Sequence, residues 1–248
     1  MKRKAIANAC LLLAVLALFT ACAPVITNVD VDPDTPVNIG DPGLKEGIIK
    51  TLQGLGEPVK GDKLTVEDLR KIDNMTLYGP VIGEADANYI STDIHNLSGI
   101  EYASNLKCLE INYNNSSYLD LRPLSGLTNL TTVFLVHSNI SDLRPLSGLT
   151  NLQILLLSYN NISDIRPLSG LNNLVILNLS DNNITDISPL SGLTYLSRLR
   201  LDGNNISDIS LLMDLTKLTE VYIDNETLLS NQDTVKILKE RGCEVHGC

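Results

Sequence analysis

Two cysteines and a histidine near the C terminus are the residues whose types could do chemistry. Cys243, His246 and Cys248 fall within the six-residue string "CEVHGC". Thiolates and an imidazole are zinc ligands, but structural zinc sites take four ligands and no fourth follows nearby in the sequence. We therefore predict no metal site and no cofactor. The two cysteines are also close enough in sequence to close a small disulfide loop, and the sequence leaves this pairing open.

Catalytic constellations are missing from the sequence. His95, His137 and His246 stand far apart, and two of them fall on turns of a repeating pattern. The strings G-x-S-x-G and H-E-x-x-H do not occur, and there is no phosphate-binding glycine loop. Serine and aspartate are abundant, but the repeating pattern sets their positions. We therefore predict that the protein is not an enzyme.

The N-terminal segment has the layout of a bacterial export signal. Residues 1–21 begin with three basic side chains and continue with an apolar run from Leu11 to Phe19. This run is too short for a membrane helix, which needs about 20 apolar residues. The string "LFTAC", which ends at Cys22, resembles a bacterial lipoprotein signal, and the resemblance implies cleavage before Cys22 and attachment of lipid to its sulfur. We expect an exported protein of the cell envelope that contacts a bacterial membrane only through this anchor; release of a soluble protein is the alternative.

The overall charge argues against one class of partner. The chain has 19 basic and 29 acidic residues and a net charge of −10. A nucleic-acid-binding surface needs a basic face, so we predict no nucleic-acid partner. Hydrophobic residues make up 44% of the chain, with no Trp and only two Phe, which predicts an aliphatic core of Leu and Ile.

A phrase of 22 residues is repeated along the centre of the chain. The first leucines of the units lie 24 residues apart in the first interval and 22 in the others, namely Leu106, Leu130, Leu152, Leu174, Leu196 and Leu218. Within a unit, apolar residues first alternate as in a strand and then recur every third residue, a spacing that favours 3₁₀ or extended coil over α-helix. Pro167 also disfavours an α-helix in its unit. One such coil cannot bury its own leucines, so the coils must stack and their strands must form a parallel sheet.

Asparagines mark the bend after the predicted strands. One set should point into the coil and pair with backbone groups, namely Asn114, Asn160, Asn182 and Asn204. Ser138 replaces this asparagine in one unit, which predicts a weaker bend there. A neighbouring set is predicted to adopt left-handed turn geometry, namely Asn115, Asn139, Asn161, Asn183 and Asn205.

The flanks of the repeats predict a tether and two caps. Asp41 can cap a first helix, and Thr65 and Asp68 form a capping-box pair at the start of a second helix. Beyond the repeats, an amphipathic helix and a short strand can cover the last open coil. The predicted segments are a signal peptide at 1–21, a tether at 22–40, a helical N-terminal cap at 41–73, repeats at 74–224 and a C-terminal cap at 225–248.

The repeated pattern L-x-x-L-x-L-x-x-N-x-I-x-D-I-x-P-L-x-x-L resembles the leucine-rich repeat of the bacterial internalin-like type. The resemblance implies an α/β solenoid with a parallel β-sheet on its concave face, a 3₁₀ or irregular convex side, a helical N-terminal cap and a C-terminal cap. Well-known members of this family are bacterial surface proteins that bind host receptors. The family uses one frame for many partners, so the likeness predicts the fold more sharply than the partner.

Outward strand positions are free of the folding pattern, and their residues predict a binding surface. Apolar residues of adjacent strands should form an exposed patch of Phe134, Val136, Ile154, Leu156 and Ile176. The strands beside it add residue types that are enriched at binding hot spots, namely Arg198, Arg200 and Tyr222. We predict a protein or peptide ligand at the concave face, in an adhesin- or receptor-like role. The alternatives are that the tether covers the patch, and that the chain is a structural envelope lipoprotein whose repeats act as a spacer or assembly scaffold.

A row of opposite charges is predicted elsewhere on the coil. Arg122, Arg144 and Arg166 each follow an aspartate two residues earlier in the chain. Stacked coils bring these charges together, which favours a mutually compensating surface row. An anionic-ligand site on the far side of the coil is the alternative.

Overall fold

A computed structural model describes residues 31–57, 59, 63–78, 94–114 and 116–248. The predicted signal peptide of residues 1–21, the predicted lipidation site Cys22 and the first part of the tether lie outside the described residues. No helix in the described part of the chain combines the length and the apolar character that crossing a bilayer requires.

The N-terminal cap contains two helices that begin at the predicted capping residues. Helix α1 spans Pro42–Gly54, and the Leu44 backbone N–H donates to the Asp41 carboxylate at 3.0 Å. The second oxygen of Asp41 accepts backbone N–H groups from His95 at 2.8 Å and Asn96 at 3.1 Å, so one side chain both caps the helix and ties it to the first coil. Helix α2 spans Val66–Arg70 and starts with the capping box of Thr65 and Asp68.

The end of the predicted tether belongs to the cap. Strand β1 at Pro36–Val37 pairs antiparallel with strand β2 at Leu64–Thr65. Ile39 is buried in the same hydrophobic cluster as the leucines of α1. The cap therefore begins before the predicted boundary at residue 40. The prolines in this stretch favour an unstructured tether, but burial of the apolar side chain of Ile39 stabilises its packing against the cap.

The repeats form the predicted parallel sheet. In the described residues it has eight strands in the order β10-β9-β8-β7-β6-β5-β4-β3. Its strands are β3 at Asn74–Tyr78, β4 at Cys108–Asn112, β5 at Thr132–Phe134, β6 at Ile154–Leu156, β7 at Ile176–Asn178, β8 at Arg198–Arg200, β9 at Glu220–Ile223 and β10 at Glu244–Gly247. Leucines of consecutive coils lie side by side in the register, as Leu155, Leu177 and Leu199 do. All three are fully buried.

The convex side is built of short 3₁₀ helices, as the three-residue spacing predicted. They span Ile100–Tyr102, Arg122–Leu124, Arg144–Leu146, Arg166–Leu168, Ser188–Gly192 and Ser210–Met213. In the coil of Pro167 the backbone N–H of Arg166 donates to the Asp164 carboxylate at 3.0 Å, so an aspartate two residues earlier satisfies the first backbone N–H of the helix. Leu168 points back into the core and is fully buried.

The asparagine ladder forms as predicted. The Asn160 carbonyl oxygen accepts backbone N–H groups of Ser138 at 3.1 Å and Ile140 at 3.0 Å, and its amide donates to the Leu135 carbonyl at 2.7 Å. At the same position of its coil, the Ser138 hydroxyl donates to the carbonyls of Ile111 at 3.1 Å and Val136 at 3.2 Å.

The prediction for the second asparagine set is wrong at most of its described positions. Asn139 has the predicted positive φ of 52°, but the positive φ otherwise falls at the residue just before the ladder position. These residues are Tyr113, His137, Tyr159, Asp181 and Gly203. The chain turns out of the strand one residue before the ladder side chain enters the coil, which puts the left-handed residue there.

The C-terminal cap closes the last coil with two helices and a strand. Helices α3 at Asn225–Ser230 and α4 at Gln232–Glu240 follow β9, and Gly242 ends α4 with a φ of 87°. Strand β10 then pairs parallel with β9. Arg241 donates to three backbone carbonyls of the last convex turn at 2.7–2.9 Å. It thereby satisfies carbonyl groups at the open end of the last coil.

Candidate functional site

All predicted binding residues borne by the strands lie on the face opposite the leucine core. Two rows run across the sheet in register. One row is Thr132, Ile154, Ile176, Arg198 and Glu220, and the other is Phe134, Leu156, Asn178, Arg200 and Tyr222. Val136 follows the end of β5 and is half-buried. The rows change from apolar to charged between β7 and β8.

The apolar part of this face is less exposed than predicted. We call Phe134, Val136, Ile154, Leu156 and Ile176 the apolar floor. Phe134 is 9% and Ile154 4% exposed, while the other three are half-buried. Neither Phe134 nor Ile154 belongs to the hydrophobic core cluster, so their neighbours on the concave face cover them. The prediction of a fully exposed patch is wrong for these two residues, because side chains of adjacent strands are close enough to pack against one another.

The charged part of the face is internally paired. The charged half comprises Arg198, Arg200, Asp202, Glu220 and Tyr222. Arg198 Nε lies 3.1 Å from Glu220 Oε2, and Arg200 makes a two-bond fork to Asp202 at 2.9 and 3.1 Å. The Arg200 guanidinium also lies 4.5 Å from the centre of the Tyr222 ring. Both predicted arginines are therefore held in place by their own neighbours.

Tyr222 anchors the end of this charged half. Its hydroxyl donates to Glu220 Oε1 at 2.8 Å, and this hydrogen bond raises the pKa of the Tyr222 phenol. On its other side the ring stacks on His246 of β10, with the ring centres 4.5 Å apart and the planes 18° apart. Arg200, Tyr222 and His246 thus form a continuous stack across β8, β9 and β10.

A row of exposed aromatic rings was missed by the sequence analysis. Tyr113, His137 and Tyr159, which we call the aromatic row, directly follow the concave positions of three adjacent coils. Tyr113 is 46% and Tyr159 57% exposed. The ring centres of Tyr113 and His137 are 6.0 Å apart, and those of His137 and Tyr159 are 6.2 Å apart. The sequence does contain a signal for this row, since in each of these three coils an aromatic side chain stands immediately before the ladder position.

Comparisons with known proteins agree with this architecture. A family model described as "Leucine Rich repeats (2 copies)" matches residues 150–192. Among solved structures, an internalin (inlF) from Listeria monocytogenes matches with a TM-score of 0.64 and 30% sequence identity, over 82% of this chain and 58% of that chain. An internalin C2 (inlC2) from the same species matches with a TM-score of 0.54 and 29% identity, over 83% of this chain and 95% of that chain. No curated protein matches the sequence significantly.

The matches to the repeat family and to the two internalins agree with the fold described above, which has a parallel sheet, a convex side of 3₁₀ helices and a cap at each end. The fold is that of an internalin-like leucine-rich repeat solenoid. The chain spans 58% of the inlF chain that it matches. A fold of this kind suggests a role in protein interaction.

The convex charge row of the internalin-like protein is paired within each coil. The Arg122, Arg144 and Arg166 guanidiniums lie 2.6, 2.8 and 2.7 Å from the aspartate two residues earlier. The hydrogen bonds from Arg166 lower the pKa of Asp164 to about 2. The charges therefore compensate one another as predicted, but they do so within a coil and not between coils.

The described cysteines are free. Cys243 is buried in the hydrophobic cluster, while Cys248 is exposed beyond the end of β10. The Cys243–Cys248 disulfide, which the sequence left open, is not formed, because the intervening strand is extended over residues 244–247 and a disulfide needs Cα atoms within about 7 Å. Burial, together with the carboxylates of Glu110 and Asp73, raises the pKa of the Cys108 thiol to about 11. Cys108 is therefore protonated and unreactive near neutral pH.

Proposed function

We propose that this internalin-like protein binds a protein or peptide partner on its concave face and carries out no catalysis. The observation that carries the proposal is the aromatic row beside the apolar floor. Both lie on the side of the sheet that the leucine core does not need. Exposed tyrosines beside half-buried aliphatic side chains resemble a binding hot spot, in which anchor residues are surrounded by contacts that exclude water.

The backbone conformation of the aromatic row supports a role other than folding. Tyr113 has a φ of 56°, His137 of 54° and Tyr159 of 58°. A left-handed conformation costs a bulky residue about 1–2 kcal/mol, and glycine adopts it freely. Equivalent positions of later coils carry Asp181 and Gly203, which suit the bend better. Large rings at the three unfavourable positions are explained if they contact a partner.

The charged half supports a partner with a defined orientation. Arg198 and Arg200 are outnumbered on this part of the face by Asp202, Glu220, Asp224 and Glu244. Because the arginines are already paired, the acidic side chains set the sign of the surface. We infer a partner with an apolar or aromatic contact at its centre and basic groups on the flank that meets β8–β10.

The test is capture of surface or envelope proteins on the immobilised chain. The variant Tyr113→Asn/Tyr159→Asn removes two exposed rings and keeps a residue type that tolerates positive φ. The matched control is Tyr195→Asn, because Tyr195 is 53% exposed but stands before the start of β8, whereas the aromatic row follows the ends of its strands. A partner should be retained by the wild type and the control and lost by the double variant. The same proteins on all three chains, as expected of a spacer, would refute the proposal.

We also propose that the protein is exported and anchored through a lipid on Cys22. The "LFTAC" string supports this, and internalin-like relatives are surface or secreted bacterial proteins. In a bacterial host grown with a labelled fatty acid, the wild-type chain should take up label and Cys22→Ser should not. Cys10→Ser is the control, since Cys10 lies inside the predicted signal peptide. Label on Cys22→Ser, or none on the wild type, would contradict the anchor.

A further inference from the structure

Three side chains at the C-terminal edge of the concave face converge on one point. Glu220 of β9 lies beside Glu244 of β10 in the register, and His246 of β10 lies beside Tyr222. One ligand atom from each of Glu220, Glu244 and His246 falls within 4.8 Å of the other two. Two carboxylates and an imidazole are ligand types found together in zinc sites.

Within the described part of the chain, the histidine nitrogen at the centre of this cluster has no hydrogen-bond partner. His246 Nε2 is inaccessible to solvent, although the ring as a whole is partly exposed. It lies 3.6 Å from Glu244 Oε2 and 3.9 Å from Glu220 Oε1. These distances exceed a hydrogen bond. They approach the separation of about 3.4 Å between ligands of a tetrahedral ion whose bonds are about 2.0–2.2 Å long.

The surroundings hold two of the three ligands in place. Glu220 accepts the Tyr222 hydroxyl on Oε1 at 2.8 Å, and Arg198 Nε lies 3.1 Å from Oε2. The His246 ring is stacked on Tyr222. Metal-binding carboxylates and imidazoles are commonly oriented by such outer contacts. Glu244 is the mobile ligand, since 73% of its side chain is exposed.

We propose that Glu220, Glu244 and His246 bind a zinc ion on the concave face. The imidazole favours zinc over magnesium or calcium, which prefer oxygen ligands alone. Three protein ligands leave a coordination position for water on the solvent side. The site does not depend on the partner-binding role, because it requires only the pairing of β9 and β10.

This site could not be predicted from the sequence, because its ligands belong to two strands, β9 and β10, that are separated along the chain. Cys243 points into the core and cannot join His246. The prediction of no metal site rested on counting ligands along one strand. Parallel pairing supplies the missing ligand from the strand before.

The test is calorimetric titration of the chelator-treated full chain with zinc chloride. The wild type should bind one zinc ion per chain, and zinc should raise its melting temperature. His246→Gln and Glu244→Gln should each weaken binding by more than about tenfold, as expected when a ligand is lost. Glu244→Gln guards against misfolding, since the residue is 73% exposed.

Two controls separate this site from other zinc ligands. His95→Gln removes an exposed histidine outside the concave binding surface, and Cys248→Ser removes the exposed thiol nearest to the cluster in sequence. Both should bind zinc as the wild type does. Absence of binding by the wild type, undiminished binding by His246→Gln, or loss on Cys248→Ser would overturn the proposal.

Discussion

The two halves of the concave face share one backbone and differ in almost everything else. Across β5, β6 and β7 most outward residues are apolar and pack against each other until Phe134 and Ile154 are nearly covered. Across β8, β9 and β10 they are charged or polar and are organised by ion pairs and ring stacks. The register and the leucine core continue unchanged between them. Outward positions are therefore free to carry function because stacking does not use them.

The largest expected effect lies beneath both halves and should be equal in them. Leu155 under the apolar floor and Leu199 under the charged half are both fully buried. Each change to alanine should lower the free energy of unfolding by about 2–5 kcal/mol, since each leaves a cavity in the core. Urea denaturation measures both. A difference of more than about 2 kcal/mol would mean that the halves differ inside as well as on the face.

A smaller effect should separate the two halves on the face itself. Phe134→Ala should cost about 1.5–3 kcal/mol, because the ring is almost completely buried among its neighbours. Arg198→Ala should cost at most about 1 kcal/mol, because its ion pair with Glu220 is partly exposed. The same denaturation experiment compares them. Equal costs would contradict the view that the packed ring of Phe134 contributes more to folding than the partly exposed ion pair of Arg198.

The aromatic row offers a sharper comparison of stability with binding. Tyr159→Asn should leave the free energy of unfolding unchanged or raise it by up to about 1 kcal/mol, because asparagine tolerates the φ of 58° better than tyrosine. Loss of the contact with His137 offsets part of this gain. Partner capture should fall in the same variant. A clear destabilisation would show that the ring serves the fold.

Much of the fold could be predicted because the repeat constrains it. The spacing of Leu155, Leu177 and Leu199 predicts the parallel register, and the position of Asn160 predicts the hydrogen bonds that close the bend. Asp41 and Thr65 predict where the cap helices begin. These features depend on a residue and its near neighbours in sequence, or on a strict period, so the sequence carries them directly.

The candidate sites were harder to predict because they depend on distances across strands. The cover over Ile154 comes from other coils, and its extent depends on how closely outward side chains pack. The ion pair between Arg200 and Asp202 forms only when both side chains adopt particular rotamers, and the residue types alone do not specify those rotamers. His246 meets Glu220 only because β10 returns to the sheet in parallel with β9.

The smallest expected effect on stability concerns the exposed arginine–aspartate pairs of the convex surface. The pKa of Asp164 is held at about 2 by Arg166, below the value of about 3.9 in an unfolded chain. A carboxylate with a depressed folded-state pKa stabilises the fold above the unfolded value, and this contribution is lost as the pH falls from about 4 to about 2.

Asp164→Asn should therefore flatten the dependence of melting temperature on pH in this window and leave the concave face untouched. The shift should be small, because the pair is exposed and screened by solvent. Asp202→Asn is the comparison in the charged half, where the carboxylate of Asp202 is nearly buried and forked by Arg200. Since neutralising Asp202 leaves Arg200 without its partner beside Tyr222, that variant should lose more stability at neutral pH than Asp164→Asn. The opposite order would mean that the convex pairs, and not the concave ones, organise charge in this protein.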